Sequence, residues 1–191
     1  MRNLGLLIIR LTAGGLLFGH GAQKLFGWYG GYGLLGTGGW MKSIGLRPGR
    51  TWAGLAGLGE FGGGLLTALG LFHPIGPILT LGPMAVATGT VHAGKPIWAS
   101  EGGAELPVTN MAIAAGLSLA GPGRLTLDRM FGIKVPAFLV ALTAVGVALG
   151  IGITLANRAV AAKQPAKIPP EEALEEVEEE AEEELQAGTA G

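Results

Sequence analysis

The sequence predicts an all-α, multi-pass membrane helical bundle, on the evidence of its composition and of its apolar runs. Of its 191 residues, 49% are hydrophobic and only 14% are charged, against about 25% charged in an average soluble domain. Five stretches approach the roughly 20 apolar residues that cross a bilayer core about 30 Å thick. These stretches predict five membrane-spanning helices.

The predicted spans cover residues 4–22, 52–72, 74–92, 105–121 and 135–156. Arg10 interrupts the first run, which favours an uncleaved helix over a secretory signal. The tight turn at His73-Pro74 makes a hairpin of the second and third spans. The fourth span is the shortest, and the fifth is free of charge between Lys134 and Arg158.

The segments outside the spans have their own character. The loop of residues 23–51 carries Trp and Tyr residues suited to the headgroup level, and its centre favours a short amphipathic helix on the membrane. After Arg158 the chain passes through a proline-containing linker into ten glutamates between Glu171 and Glu184. A thin apolar stripe there is compatible with a helix, but the like charges favour a solvated, disordered tail. The predicted organisation is a membrane domain at 1–132, an additional transmembrane helix at 133–158 and the tail at 159–191.

Small residues spaced four apart predict close helix approach. The pairs are Gly15 with Gly19, Gly59 with Gly63, and Gly146 with Gly150.

Charge and residue usage exclude several classes of function. Residues 1–170 contain all 13 Lys and Arg residues and only four acidic residues, which gives this part of the chain a net charge of +9. Their distribution between the loops favours an outside N-terminus and a tail in the cytoplasm. The absence of cysteine from the sequence excludes thiol catalysis, Cys-ligated zinc, iron–sulfur ligation and disulfides. No basic run with interleaved aromatics suggests nucleic-acid binding, and the three dispersed histidines form no metal motif.

Glu60 is the strongest candidate for a functional residue. It lies near the middle of the second span, where an ionisable group is costly and must pair with a cation or stay protonated. It is either a proton-handling or ligand-binding carboxylate, or a structural residue that bonds to a neighbouring helix. Arg10, His20 and Lys24 fall within an arc of about 80° on the first helix, so Arg10 or Lys24 could pair with Glu60 across the bundle.

The other polar candidates have simpler interpretations as well. Lys24 alone is more typical of a positive cap at the membrane surface. A neutral His20 could hydrogen-bond a quinone-like carbonyl or another helix. For His92 and His73, at the ends of spans, a solvated interfacial histidine is the plain interpretation.

The order of several motifs resembles the DoxX family of membrane proteins. The motifs are Arg10-Leu11 with Gly14 and Gly15, Gly19-His20-Gly21-Ala22-Gln23-Lys24-Leu25-Phe26-Gly27, Met41-Lys42-Ser43-Ile44-Gly45-Leu46, Glu60, Val91-His92, and Gly121-Pro122-Gly123-Arg124-Leu125-Thr126-Leu127-Asp128. The resemblance covers residues 4 to about 132 and implies a four-helix protein of the bacterial or archaeal cytoplasmic membrane. Relatives include small subunits associated with thiosulfate:quinone oxidoreductase and members linked to oxidative-stress and sulfur metabolism. The fifth span and the acidic tail depart from the family pattern.

The resemblance also implies a site and a function. Arg10, His20, Lys24, Glu60 and His92 match polar positions that recur in the family, and they are the candidates for a shared ligand-binding or proton-handling pocket. The leading hypothesis is a membrane subunit of an oxidoreductase system that is not catalytic alone. It would lie in the lipid membrane, alone or as a homo-oligomer, and would recruit soluble oxidoreductases. The sequence shows no cofactor motif, and a quinone is the ligand considered. The alternatives are a small-molecule or proton-coupled carrier, and a structural membrane adaptor for soluble partners.

Overall fold

A computed structural model of the protein describes residues 1–163, which form seven α-helices and no strand within that range. The helices are α1 (Arg2–Phe26), α2 (Gly33–Ser43), α3 (Gly49–Leu69), α4 (Ile75–Thr90), α5 (Glu105–Ala120), α6 (Leu127–Phe131) and α7 (Ala137–Lys163). The predicted all-helical fold class is confirmed. Each of the five predicted spans coincides with one helix, and the amphipathic segment of the first loop forms α2.

Three helices, α1, α3 and α6, end at a glycine in the left-handed conformation. Gly27 ends α1 with φ 74° and Gly70 ends α3 with φ 62°, a conformation that favours glycine because it has no Cβ. At the end of α3, Leu71 N donates back to Leu66 O at 2.9 Å. The seventh helix continues to Lys163, beyond the predicted boundary at residue 158, and the rest of the predicted tail, 164–191, lies outside the described residues.

The most intimate helix contact is between α1 and α3, which run antiparallel. A Cβ added to Gly14 would lie 2.6 Å from Ala68 N and 2.7 Å from Gly64 O, distances that no real side chain tolerates. Further along, Gly21 lies against the backbone of Phe61. The glycines therefore bring the two backbones into direct contact, and they determine which residues of α1 and α3 face each other.

One of the three predicted small-residue pairs mediates helix packing. Gly59 and Gly63 of α3 lie against Pro83 and Thr80 of α4, which confirms that pair. For the other two pairs the prediction is wrong, since a Cβ on Gly15, Gly19, Gly146 or Gly150 would meet no atom of another element within 4 Å among the described residues. Spacing of four alone does not distinguish a packed face from an outer one, and in α1 the packed glycines are Gly14 and Gly21.

The antiparallel pairs give the bundle two ends. The last turn of α1, the start of α3 and the last turn of α4 share one end, here called the Lys24 end. The turn between α3 and α4 lies at the other, the Asp128 end, where Asp128 N donates to Gly70 O at 3.1 Å. The last helix, α7, runs parallel to α4, and Arg158 Nη1 donates to Gly89 O at 2.9 Å.

The outer surface is apolar, as a membrane-embedded protein requires. Large side chains such as Ile8, Leu16, Leu58 and Leu149 are exposed, a pattern that marks contact with lipid or protein rather than water. Within residues 1–163, two helices are long and apolar enough to cross a membrane by length and composition, Arg2–Phe26 and Ala137–Ala161.

Candidate functional site at Lys24 and Glu60

The centre of the candidate site is an ion pair between α1 and α3. Lys24 Nζ donates to Glu60 Oε2 at 2.5 Å, with the Glu60 side chain 4% exposed and that of Lys24 25% exposed. Lys24 lies in the last turn of α1, and the antiparallel register places it beside Glu60. Of the two pairings predicted for Glu60, the structure contains the one with Lys24, which at the same time is the basic residue of the last turn of α1.

A cavity of about 530 Å³ opens beside Lys24. It lies at the Lys24 end, between the end of α1, the loop after it and α2. Tyr32 and Trp40 contribute aromatic rings to its wall, and the buried Thr37 contributes a hydroxyl-bearing side chain. Glu60 is not among the lining residues, so Lys24 connects the buried carboxylate with the cavity.

His20 and Gln23 flank the ion pair on the same helix. His20 Nδ1 lies 3.1 Å from Gln23 Oε1, and His20 is close enough to Glu60 to interact with it electrostatically. Gln23 itself lines the cavity, and its Nε2 donates to Tyr29 O at 3.4 Å. The exposed His20 thus lies near the pair, and within residues 1–163 it makes no hydrogen bond to the carboxylate.

The structure does not bring Arg10 into this group. Arg10 is 14 residues before Lys24, about 21 Å away along a helix that rises 1.5 Å per residue, so one glutamate cannot meet both. Its side chain is 1% exposed, and Nη2 donates to Leu125 O at 2.5 Å. Arg10 is therefore a buried residue of the Asp128 end.

His92 also lies apart from the ion pair. Its Nδ1 is 2.7 Å from Gly102 O, across the loop that joins α4 to α5. The contact ties one end of this loop to the other. Of the five residues predicted to share a pocket, the structure places Lys24, Glu60 and His20 together and leaves Arg10 and His92 elsewhere.

A second polar cluster, at the Asp128 end, was not predicted from the sequence. The Asp128 carboxylate accepts hydrogen bonds from Phe72 N and His73 N, each at 2.8 Å. Phe72 has a φ of 51°, which is strained for a residue with a side chain. Asp128 satisfies two backbone donors at this strained turn and attracts Arg10 electrostatically. It therefore holds the chain after α5 against the turn between α3 and α4.

His73 belongs to this cluster and is not the solvated histidine that was expected. Its Nε2 is buried and has no hydrogen-bond partner within residues 1–163. Burial lowers the pKa of His73, the nearby Asp128 carboxylate raises it less, and Arg10 lowers it further. The sequence did contain one sign of this cluster, the motif that ends in Asp128. The motif does not reveal its partner, because His73, to which Asp128 binds, lies 55 residues earlier in the chain.

Neither cluster has the composition of a metal centre. In the described part of the chain, no group of three or more His, Asp or Glu side chains converges. What the Lys24 site offers a ligand is one partly exposed ammonium group, an amide and aromatic walls. Such a set suits a small molecule that accepts hydrogen bonds and has an apolar body.

These features define an all-helical, multi-pass membrane protein with a charged pair buried between its first and third helices. Residues 5–93 match the DoxX family model, and this part of the chain is a DoxX family domain. The matched residues contain α2 to α4 and all but the first three residues of α1, and with them Lys24, Glu60 and the cavity. The motif around Asp128 and the whole of α7 lie beyond the match. Comparison with curated proteins and with solved structures gives no match.

Proposed function

We propose that the protein is an accessory membrane subunit of an oxidoreductase system and binds a quinone, or a similar apolar molecule with carbonyl groups, in the cavity beside Lys24. The observation that supports this function is that Lys24 makes two contacts at once. It pairs with the buried Glu60, and it also lines a cavity of about 530 Å³. Ligand pockets of this size are typical of small-molecule and cofactor sites.

The site residues suit the proton and charge steps of quinone chemistry. The Lys24 ammonium can donate to a quinone carbonyl and stabilise the negative charge that develops during reduction. Glu60 behind it can accept or return a proton at the Lys24 Nζ atom. Reduction of a quinone to a quinol needs two electrons and two protons. This sequence has no cysteine, so the electrons would come from a flavin, haem or dithiol of a partner enzyme.

The remaining parts of the chain have supporting roles in this proposal. Domain 1–132 would hold the ligand site, and α7 would add a transmembrane helix whose last turn lies at the Lys24 end. The excess of Lys and Arg at that end supports a cytoplasmic position for it in a prokaryotic cell. A soluble oxidoreductase would then dock next to the cavity.

Purification of the tagged full chain from its native membrane tests the proposal. Wild type should retain a quinone and an oxidoreductase, as identified by mass spectrometry. Lys24→Gln should lose the quinone when quinone is counted per mole of folded protein, because the donor that faces the cavity is gone. Lys42→Gln is the matched control, since Lys42 is exposed on α2 and does not line the cavity. Equal quinone in all three proteins, or none in wild type, would remove the basis for the ligand.

A structural adaptor is the second candidate function. It is favoured by the near-complete burial of Glu60, which lines neither this cavity nor the apolar groove between α3, α4 and α7. In an adaptor the ion pair would only join α1 to α3. Glu60→Gln would then lower the amount of folded protein and of its partner complex together, whereas the quinone proposal predicts loss of ligand from protein that is still assembled.

A further inference from the structure

A second cavity, separate from the Lys24 site, lies between α3, α4 and α7. It is an apolar groove of about 490 Å³, here called the α7 groove. Leu55 and Leu58 line it from α3, Leu79 and Val86 from α4, and Val147 and Ile151 from α7. Because α7 lies beyond the residues that match the DoxX family, the groove is built jointly by the family domain and the added helix.

The groove lining offers no free hydroxyl or indole donor to a polar ligand. Thr143 and Thr154 donate within their own helix, to Leu139 O at 2.8 Å and to Gly150 O at 2.6 Å. Trp52 Nε1 donates to Arg47 O at 3.2 Å. An occupant of the groove therefore gains from apolar contact and not from hydrogen bonds to these side chains.

The length of the groove matches one leaflet of a bilayer. Its α7 wall extends from Thr143 to Thr154, which is about 16 Å along a helix. Half of the hydrocarbon core of a bilayer is about 15 Å. A hydrocarbon chain that enters from one membrane surface would thus fill the groove.

Positive charge is concentrated where the groove reaches the Lys24 end. Leu46 closes the groove there, and the exposed Arg47 follows it in the chain. Arg158 lies at the same end, with its Cγ 3.8 Å from the position of a Cβ on Gly45. Arg158 uses Nη1 for Gly89 O, and the rest of its five-donor guanidinium can serve an anion.

We propose that the α7 groove binds an anionic glycerophospholipid, with an acyl chain between α3, α4 and α7 and the phosphate beside Arg47 and Arg158. The lipid fills the space that the glycines of α7 leave open and joins α7 to the DoxX domain. This site does not depend on the ligand proposed for the Lys24 cavity.

Filling the groove with protein atoms tests the acyl-chain site. A Cβ on Gly146 or Gly150, both of which line the groove, meets no atom of another element within 4 Å in the described range, so Gly146→Leu/Gly150→Leu should fold and occupy the space. Gly152→Leu is the matched control, because Gly152 is equally open but does not line the groove. Native mass spectrometry of the full chain titrated with phosphatidylglycerol should show one tightly held lipid in wild type and in the control. The double variant should lose it.

The position proposed for the headgroup is tested by changing the charge of the lipid and by replacing single arginines. Phosphatidylcholine with the same acyl chains should bind more weakly than phosphatidylglycerol. Arg47→Gln should weaken the binding of phosphatidylglycerol about fivefold. This factor corresponds to the roughly 1 kcal/mol that one arginine contributes near an anionic lipid. Arg124→Gln, at the Asp128 end, should leave the affinity unchanged.

Several outcomes would overturn the proposal. Equal retention of lipid by the groove-filled variant and the control would show that the lipid lies elsewhere. Conversion of a dimer to a monomer by groove filling would assign the groove to a second copy of the chain. Retention of a quinone in place of phospholipid, abolished by the same double variant, would assign it to the quinone.

Discussion

Replacement of the Lys24–Glu60 pair by methionine distinguishes a coupled buried pair from two independent surface charges. Lys24→Met leaves a carboxylate that is 4% exposed without its cation, and loss of one partner of a buried pair costs about 3–5 kcal/mol. Glu60→Met leaves an ammonium group that is 25% exposed and can turn into the cavity. Its cost is therefore smaller, about 1 kcal/mol.

The double variant should be more stable than the two single costs imply. With both residues replaced by methionine, no uncompensated charge remains, and a well-packed apolar pair can match a buried ion pair. We expect a loss of about 1 kcal/mol for the double variant and hence a coupling energy of about 3–5 kcal/mol between the residues.

The free energy of unfolding can be measured by titration with dodecyl sulfate in mixed micelles, followed by fluorescence of the four tryptophans. Lys42→Met serves as the control, because substitution of an exposed side chain changes stability by no more than about 0.5 kcal/mol. If the single costs add up to the double cost within about 0.5 kcal/mol, the two side chains are not coupled and the ion pair described here does not exist in the folded protein.

Four further substitutions test the α1–α3 contact and the Asp128 cluster by the same unfolding measurement. Gly14→Ala should lower the free energy of unfolding by about 1–3 kcal/mol, because the added Cβ overpacks against the backbone of α3. Gly15→Ala, on the open face, should raise it by up to about 1 kcal/mol through helix propensity. Equal effects of the two substitutions would contradict the packing. Asp128→Asn should lose about 1–3 kcal/mol, since an amide leaves one of two buried backbone donors unpaired, and a neutral result would show that the turn does not need the carboxylate. Because burial lowers the pKa of His73, the folded protein binds fewer protons than the unfolded chain, so stability should be complete above about pH 6.5 and fall as the pH decreases through it. His73→Gln should flatten that fall, and an unchanged pH profile would exclude His73 as its cause.

Much of the helical architecture could be predicted from the sequence because it depends on local pattern. Apolar runs of sufficient length, ended by glycine or proline, determined the five long helices and the membrane class. The need of Glu60 for a partner could also be predicted, because a carboxylate within an apolar run is costly unless it is paired.

Only the tertiary structure decided which cation that partner is. Arg10 and Lys24 both lie on the predicted polar face of the first helix, and periodicity cannot rank them. The choice depends on the longitudinal register of α1 and α3, which is set by the close contacts of Gly14 and Gly21 with α3. Those glycines are indistinguishable in sequence from Gly15 and Gly19, which face outward.

The Asp128 cluster and the α7 groove also could not be predicted from the sequence. Asp128 acts on a turn 55 residues earlier, and the groove exists because α7 packs on α4 and leaves a space beside α3. The sequence by itself determined which segments become helices and which charged side chains must be neutralised. The tertiary structure decided which charged side chains pair with each other and where cavities remain. Both depend on the packing of distant segments and not on the order of residues within one helix.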